Sequence, residues 1–342
     1  LNIIIDAMGG DKAPFEIVKG AVDAAEEFDI SVILVGRREE ILGSLSKLGK
    51  AEGGRIALRD ARDVVDMEDE AALATRQKKD SSMTVALKML SAGEGDAVVS
   101  AGNTGALLTG ATLIVKRVRG IRRAALAPVL PNSGKGMVLI DCGANAECTP
   151  EYLLQFAYMG SFYSKCILGC ESPRVALLNN GVEEGKGTAL QLETYALLKT
   201  AHSAGRLNFT GNVEAGRVLS GDVDVVVADG FSGNILLKSY EGATGMLLKF
   251  IKDILTKNKR NMLAAAVIKS DMMALRKDMD PNEIGGTALL GISKPVVKAH
   301  GSSDARAIRS AVRQAILFSK AGAIREIEAN IEYMKIAGER EI

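Results

Sequence analysis

The chain has 342 residues, 47% hydrophobic and 25% charged, which excludes a disordered segment and leaves room for one large α/β unit or two smaller ones. A formal net charge of +1 excludes a global pull toward nucleic acid, so electrostatic steering has to come from local patches. No apolar run has the length of a membrane span, and Cys142, Cys148, Cys166 and Cys170 show neither a CxxC pair nor zinc spacing. With no signal peptide in view, the expectation is a cytoplasmic chain with free thiols, in which little precedes the first strand.

Asn2 to Ile5 reads as a buried strand running into Asp6-Ala7-Met8-Gly9-Gly10-Asp11. Asp11 is expected to cap the next helix, with Pro14 in its first turn, and Ile17, Val18, Ala21, Val22 and Ala25 recur at helical spacing. Val32 to Val35 is a second strand, and the polar stretch from there to about Asp80 predicts no element. A helix from Ser82 to Leu90 precedes a strand, Ala97 to Ser100, which enters Ala101-Gly102-Asn103-Thr104-Gly105; an apolar helix, Ala106 to Val115, follows. Met137 to Ile140 is a strand ending at Asp141-Cys142-Gly143-Ala144-Asn145. Val175 to Leu178 is another, followed by the polar, glycine-rich 179–187 and a helix marked by Thr188, Leu190, Leu192, Tyr195 and Leu198. Asn208-Phe209-Thr210 leads to Gly211-Asn212-Val213-Glu214, and the β-branched run Val223 to Ala228 ends at Asp229-Gly230-Phe231-Ser232-Gly233-Asn234. Ala243, Met246, Leu247, Phe250, Ile251 and Ile254 mark one helix face. A long helix beginning near Ser303 or Asp304 buries Ile308, Ala311, Val312, Ala315 and Ile316. Strands alternating with helices, with no repeat or linker, predict a doubly wound, mainly parallel sheet in a three-layer α/β/α sandwich.

Five strands end in short runs of Gly, Asn, Asp and Ser, at 6–11, 100–105, 141–145, 179–187 and 229–234. Ligands bind beyond the carboxyl ends of strands in such sheets, so these loops are expected to converge on one crevice. Lys186, between Gly185 and Gly187 at a helix start, suits an anion, as free N–H groups, dipole and ammonium all favour negative charge. Gly181, Gly185 and Lys186 spell GxxxGK, one residue short of a P-loop, and Gly187 replaces the hydroxyl that holds magnesium. The run VVVAD ending at Asp229 keeps a nucleotide hydrolase as a rival, whereas no GxGxxG supports a dinucleotide. Asp6, Asp11, Asp141 and Asp229 are read as helix caps or as orienting groups for Lys186 and the asparagines. His202 is read as a surface residue and Cys142 as a small buried one. His300 precedes a helix start, where it can donate a proton, touch phosphate or cap.

Taken together, DAMGGD at 6–11, SAGNTGAL at 100–107, ALAP at 125–128, DCGAN at 141–145, SPRV at 172–175, GNVEA at 211–215, DGFSGN at 229–234 and KAHGSSD at 298–304 resemble the PlsX family of phosphate acyltransferases over nearly the whole chain. Cys142, where valine is usual, and the Gly181-Val182 lead are small departures. The resemblance implies an isocitrate dehydrogenase-like or phosphate acetyltransferase-like fold with 1–342 as a single α/β/α catalytic domain. It implies transfer of a long-chain acyl group from acyl-acyl carrier protein to inorganic phosphate. The acyl phosphate product would feed a glycerol-3-phosphate acyltransferase in bacterial phospholipid synthesis, and the enzyme would be a homodimer with no organic cofactor; no residue is singled out as a metal ligand, and metal dependence stays open. Because phosphate is the nucleophile, the chemistry needs placement, an oxyanion donor and thiolate release rather than an acyl-enzyme. Lys186 and Asn234 are the expected catalytic residues. Substrate and phosphate contacts are expected from Asp6, Gly9 and Gly10, from Asn103, Thr104 and Gly105, and from Asn145. Gly185, Gly187 and Asn212, then Ser232 and Gly233, then His300 and Ser302 complete that set.

A basic amphipathic helical segment is expected at about 249–277, where eight basic residues stand against Asp253 and Asp271. Leu263, Val267, Lys259, Arg260 and Lys269 are its expected contacts, either with an acidic carrier protein or with an anionic membrane at the periphery. Lys116, Arg117, Arg119, Arg122 and Arg123 form a second basic run. Solvated helix faces are the plain alternative for both. Two other readings of the whole chain stay open: a phosphotransacetylase-like enzyme using acyl-CoA, and a non-enzymatic, membrane-recruited scaffold that binds phosphate compounds.

Overall fold

Successive residues of the central strands point into two different apolar layers. Ile3 and Ile5 share a core with Ile17, Val18 and Ala21 of one helix and Ile308, Ala311 and Val312 of another. Ile4, between them, packs with Met83, Leu87 and Leu107 on the opposite face. A strand buried on both faces carries an unbroken apolar run, and helices on each face complete the α/β/α sandwich. The computed structural model describes residues 1–273 and 285–335.

The strands fall into two sheets rather than one. The larger holds β1 (Asn2–Asp6), β2 (Ser31–Gly36), β3 (Ile56–Asp60), β4 (Ala97–Ser100), β5 (Ala125–Ala127), β11 (Thr287–Leu290) and β12 (Val296–Lys298), in the order β3-β2-β1-β4-β12-β11-β5. Its strands are parallel except that β11 runs antiparallel to both neighbours. The smaller holds β6 (Val129–Leu130), β7 (Met137–Ile140), β8 (Val175–Asn179), β9 (Phe209–Glu214) and β10 (Val225–Val227), in the order β6-β7-β10-β8-β9, with β6 antiparallel to β7. The two sheets join at β5 to β7, where the Leu126 amide donates to Asp141 Oδ1 at 2.8 Å and the Leu139 amide to Pro128 O at 3.1 Å.

Some local expectations change. The polar stretch before Asp80 contains β3 and the helices Arg38–Lys47 and Ala74–Gln77. β3 is an edge strand whose exposed alternate positions lower its hydrophobic signal. Asp11 caps nothing: the helix α1 (Phe15–Glu27) has Pro14 at its N-cap, and the Asp11 amide is held by Gly301 O at 2.8 Å. The helix expected at 106–115 starts at Thr104 and changes to π-helical winding over Ala111–Val115. The basic segment is the end of a 27-residue helix, Gly230–Thr256, followed by Lys259–Val267. Arg276 and Lys277 lie outside the described residues.

Candidate active site

In the larger sheet the chain leaves β1 toward β2 and β3 on one side and returns to β4 on the other. The loops after β1 and β4 therefore flank a topological switch point, where open α/β sheets bind ligands. β12 lies beside β4 and delivers the 298–303 loop to the same edge. A cavity of about 490 Å³ opens there, bounded by Asp11, Thr104, Lys298, His300, Ser302 and Ser303 from the larger sheet. Cys142, Gly143, Asn234, Leu237, Lys238 and Glu241 bound it from the smaller sheet. Leu126, Pro128, Val129 and Leu130 supply an apolar wall from the junction, and Met67 comes from the segment before β4.

Each loop is held by specific hydrogen bonds. Asp6 is buried; its Oδ2 accepts from Ser100 Oγ at 2.6 Å while its Oδ1 has no hydrogen-bond partner among the described residues, and burial pushes the carboxyl pKa up. A Cβ on Gly9 would stand 2.6 Å from Asp6 Oδ2 and 2.7 Å from the Gly102 amide, so the glycine lets the β1 and β4 loops touch. Gly10 has φ +104°, against the Gly301 carbonyl. Asn103 caps the next helix, its Oδ1 accepting from the Ala106 amide at 3.0 Å, and its Nδ2 donates to Met67 O at 3.0 Å. Asn103 thus spends its side chain on structure, and Gly105 packs against Ala71, while Thr104 between them lines the cavity.

On the smaller sheet the buried Asp141 carboxylate gathers the amides of Leu126 at 2.8 Å, Cys142 at 2.7 Å and Asn145 at 2.7 Å, along with Asn145 Nδ2 at 3.0 Å. Asn145 also donates to Ala124 O at 2.8 Å, so it ties the 141–145 loop down rather than facing the cavity. Asp229 caps Gly230–Thr256, its Oδ1 accepting from the Ser232 amide at 2.9 Å. A Cβ on Gly233 would fall 1.9 Å from Asp141 O, so Gly233 is where the helix presses on the neighbouring loop. One residue on, Asn234 reaches the cavity.

The 179–187 loop stands apart from this cavity. Asn179 Nδ2 donates to Lys186 O at 3.0 Å, and Asn212 Nδ2 to Glu183 O at 2.8 Å. Thr188 and Gln191 form a capping box on the helix Ala189–Ser203, and Gly187 has φ +98°. Gly185, Lys186 and Gly187 are exposed and do not line the cavity. β8, which carries them, nonetheless lies next to β10, which leads to Asn234.

Of the expected contacts, the structure brings together Thr104, Asn234, His300 and Ser302 on one cavity, with Asp6, Gly9, Gly10, Ser232 and Gly233 close behind in sequence or packing. Lys298 is the residue that the sequence argument passed over. It is 8% exposed, and burial lowers its pKa to about 8. The signal was available, since a lysine closing a Val-Val strand inside KAHGSSD is an unusual place for a charge. His300 Nδ1 lies 2.9 Å from Ser302 Oγ and 3.3 Å from the Ser302 amide, so the ring is held by its own loop, and burial lowers its pKa. Burial pushes the thiols the other way, Cys148 to about 12 and Cys142 well above its ordinary value, so neither is a ready nucleophile.

Residues 1–326 match the model of a family described as fatty acid synthesis protein. The chain belongs to this family. It is 43% identical over 328 residues to a phosphate acyltransferase of Clostridioides difficile (strain 630), covering 96% of this chain and 95% of that one. It is 46% identical over 334 residues to a phosphate acyltransferase of Geobacillus thermodenitrificans (strain NG80-2), with 97% and 99% covered. Among solved structures it is similar to a phosphotransacetylase from Streptococcus pyogenes, with TM-score 0.64 and 19% identity over 96% of this chain and 94% of that one. That likeness is one of fold, and it agrees with the phosphate acetyltransferase-like sandwich expected from the motifs.

Proposed function

We propose that the protein is an acyltransferase that moves an acyl group from a thioester to inorganic phosphate, giving acyl phosphate and a free thiol. The observation that carries this reading is a single cavity joining polar donors to an apolar wall: Lys298, His300, Ser302 and Asn234 with Leu126, Pro128, Val129 and Leu130. Family membership and relatives named phosphate acyltransferase support it. A phosphate oxygen attacks the carbonyl carbon, the oxyanion collapses, and the C–S bond breaks with its electron pair leaving on sulfur. The protein contributes placement and charge. Asn234 is assigned the donor role at the oxyanion, and Lys186, on the neighbouring loop, the cationic role. The raised thiol pKa values of Cys142 and Cys148 favour direct attack by phosphate over an acyl-enzyme. Asp229, read alternatively as a magnesium-holding acid of a nucleotide hydrolase, is committed to its helix cap, which weakens that rival.

The donor is assigned as long-chain acyl-acyl carrier protein rather than acyl-CoA, and the product as the substrate of a glycerol-3-phosphate acyltransferase. The test is to offer both thioesters with phosphate and identify the product. Carrier-dependent formation of acyl phosphate supports the assignment, preference for acyl-CoA supports the phosphotransacetylase-like reading, and no phosphate-dependent turnover leaves only the binding scaffold. We also propose a cytoplasmic homodimer that touches membrane at its periphery, and two surface features support the dimer and the membrane contact. In Gly230–Thr256 only Gly230, Gly233 and Thr244 are buried, while Phe231, Ile235, Met246, Phe250 and Ile254 are exposed. Met262, Leu263 and Val267 are exposed beside Lys259 and Arg260. No helix among the described residues is long and apolar enough to cross a membrane.

A further inference from the structure

A lysine ammonium has three donors. Two of those on Lys298 go to carbonyl oxygens, Ala101 O at 3.2 Å and Ala299 O in a short contact. Among the described residues no further acceptor and no carboxylate ion pair completes the set. Asp6 and Asp11 act on it only at longer range, and Asp6 is a weak counter-charge because it is tied to Ser100 and burial favours its neutral form. The side chain lines the cavity while only 8% exposed. Ser303 bounds the same cavity, and its buried Oγ has no hydrogen-bond partner among the described residues. Leaving a buried hydroxyl unpaired and a buried cation incompletely paired is costly, and such groups in a cavity point to an anionic occupant with several acceptor oxygens.

We propose that Lys298 and Ser303 hold the inorganic phosphate substrate, the third ammonium proton and the serine hydroxyl both donating to phosphate oxygens beside His300. This rests on the acyl-phosphate reading and deepens it by seating the nucleophile against the larger sheet. The thioester carbonyl then approaches from the side of the smaller sheet, where Asn234 stands. One phosphate oxygen forms the new bond to carbon, the resulting oxyanion collapses with departure of the thiolate, and the other oxygens stay on Lys298 and Ser303. The bland role for Lys298, balancing Asp6 and Asp11, predicts a loss of stability without selectivity between substrates.

The test uses the full chain, with phosphate binding by calorimetry and steady-state constants for phosphate and thioester measured separately. Lys298→Gln is expected to raise the phosphate Kd and KM about 10- to 100-fold, with kcat at saturating phosphate and the thioester KM moving far less. Ser303→Ala is expected to raise the same two constants about 3- to 10-fold. Lys298→Arg, which keeps the charge, decides the matter if Lys298→Gln does not fold: a phosphate-selective change supports the site. Wild-type phosphate constants in Ser303→Ala and in a folded Lys298 variant overturn it. If the wild type makes acyl phosphate and the variants keep their phosphate KM, this inference fails alone. If the wild type binds phosphate through these residues but makes no acyl phosphate, the functional reading fails and the site stands.

Discussion

At the scale of the residue, the proposed chemistry rests on Asn234 near a helix start, Lys186 on an exposed loop and the buried Lys298. Asn234 lines the cavity, and Lys186 stands on the exposed loop after the neighbouring strand β8. Removing one donor or charge from a transition state typically costs about 10²–10³ in rate. Asn234→Ala and Lys186→Ala are each expected to fold and to lose activity on that scale at saturating phosphate; near-normal turnover removes the residue concerned from the reaction. Lys298 adds a pH dependence. Burial disfavours its charged form, so its pKa falls to about 8, against Asp6 and Asp11, which raise it, with Lys238 lowering it. His300 and Glu241 line the same cavity. Since the ammonium loses its proton as pH rises, phosphate KM is expected to increase through about pH 8 and stay low below it. In Lys298→Arg the guanidinium remains charged, and the alkaline rise should disappear from the KM profile.

At the scale of the element, the helix Lys259–Val267 is placed against its own dipole. Asn258 caps it, Oδ1 accepting from the Asn261 amide at 2.9 Å, yet its first turn carries Lys259 and Arg260. Cations near a helix N-terminus are unfavourable, so these two do not serve the helix itself. With Leu263 72% and Val267 83% exposed, the element offers an apolar edge ringed by charge. Each nearby Lys or Arg adds about 1 kcal/mol on an anionic surface, which gives reversible, salt-sensitive attachment rather than insertion. Leu263→Glu combined with Val267→Glu is expected to release the protein from anionic vesicles in a flotation assay while soluble carrier-bound substrate still turns over. Retained vesicle binding rejects the membrane reading; lost turnover in a folded protein points to carrier docking instead.

At the scale of the whole molecule, an exposed apolar surface lies on the helix Gly230–Thr256, which carries Asn234 near its start and exposes Met246, Phe250 and Ile254 toward its far end. A face of that kind is suited to a second copy, related by a two-fold axis so that the same residues meet themselves. Phe250→Glu with Ile254→Glu is expected to shift the protein from dimer to monomer in analytical ultracentrifugation. A wild type that sediments as a monomer at micromolar concentration rejects the dimer. Asn234 and the exposed stripe share one helix, so if the proposed dimer forms, its loss is also expected to lower activity.

The α/β/α sandwich was legible because buried parallel strands leave unbroken apolar runs such as Ile3-Ile4-Ile5 and Val225–Val227, and because glycine and asparagine mark the loops that follow. The cap Asp229 was legible as a short acceptor ahead of apolar periodicity, whereas Asn103, expected as a substrate contact, caps the helix that starts at Thr104. Edge strand β3 was not legible, since three of its five residues are exposed, and neither was the split into two sheets, because alternation of strand and helix is the same for one sheet as for two. Motif chemistry alone ranked Gly185-Lys186-Gly187 first, and no local pattern separates a loop that lines a cavity from one that flanks it. Only the tertiary structure set β12 beside β4, which buries Lys298 and leaves Ser303 Oγ unpaired on a shared wall. Sequence carries the residue types and their periods, whereas burial and unmet hydrogen bonds arise from contacts between segments about 200 residues apart, such as Lys298 with Ala101.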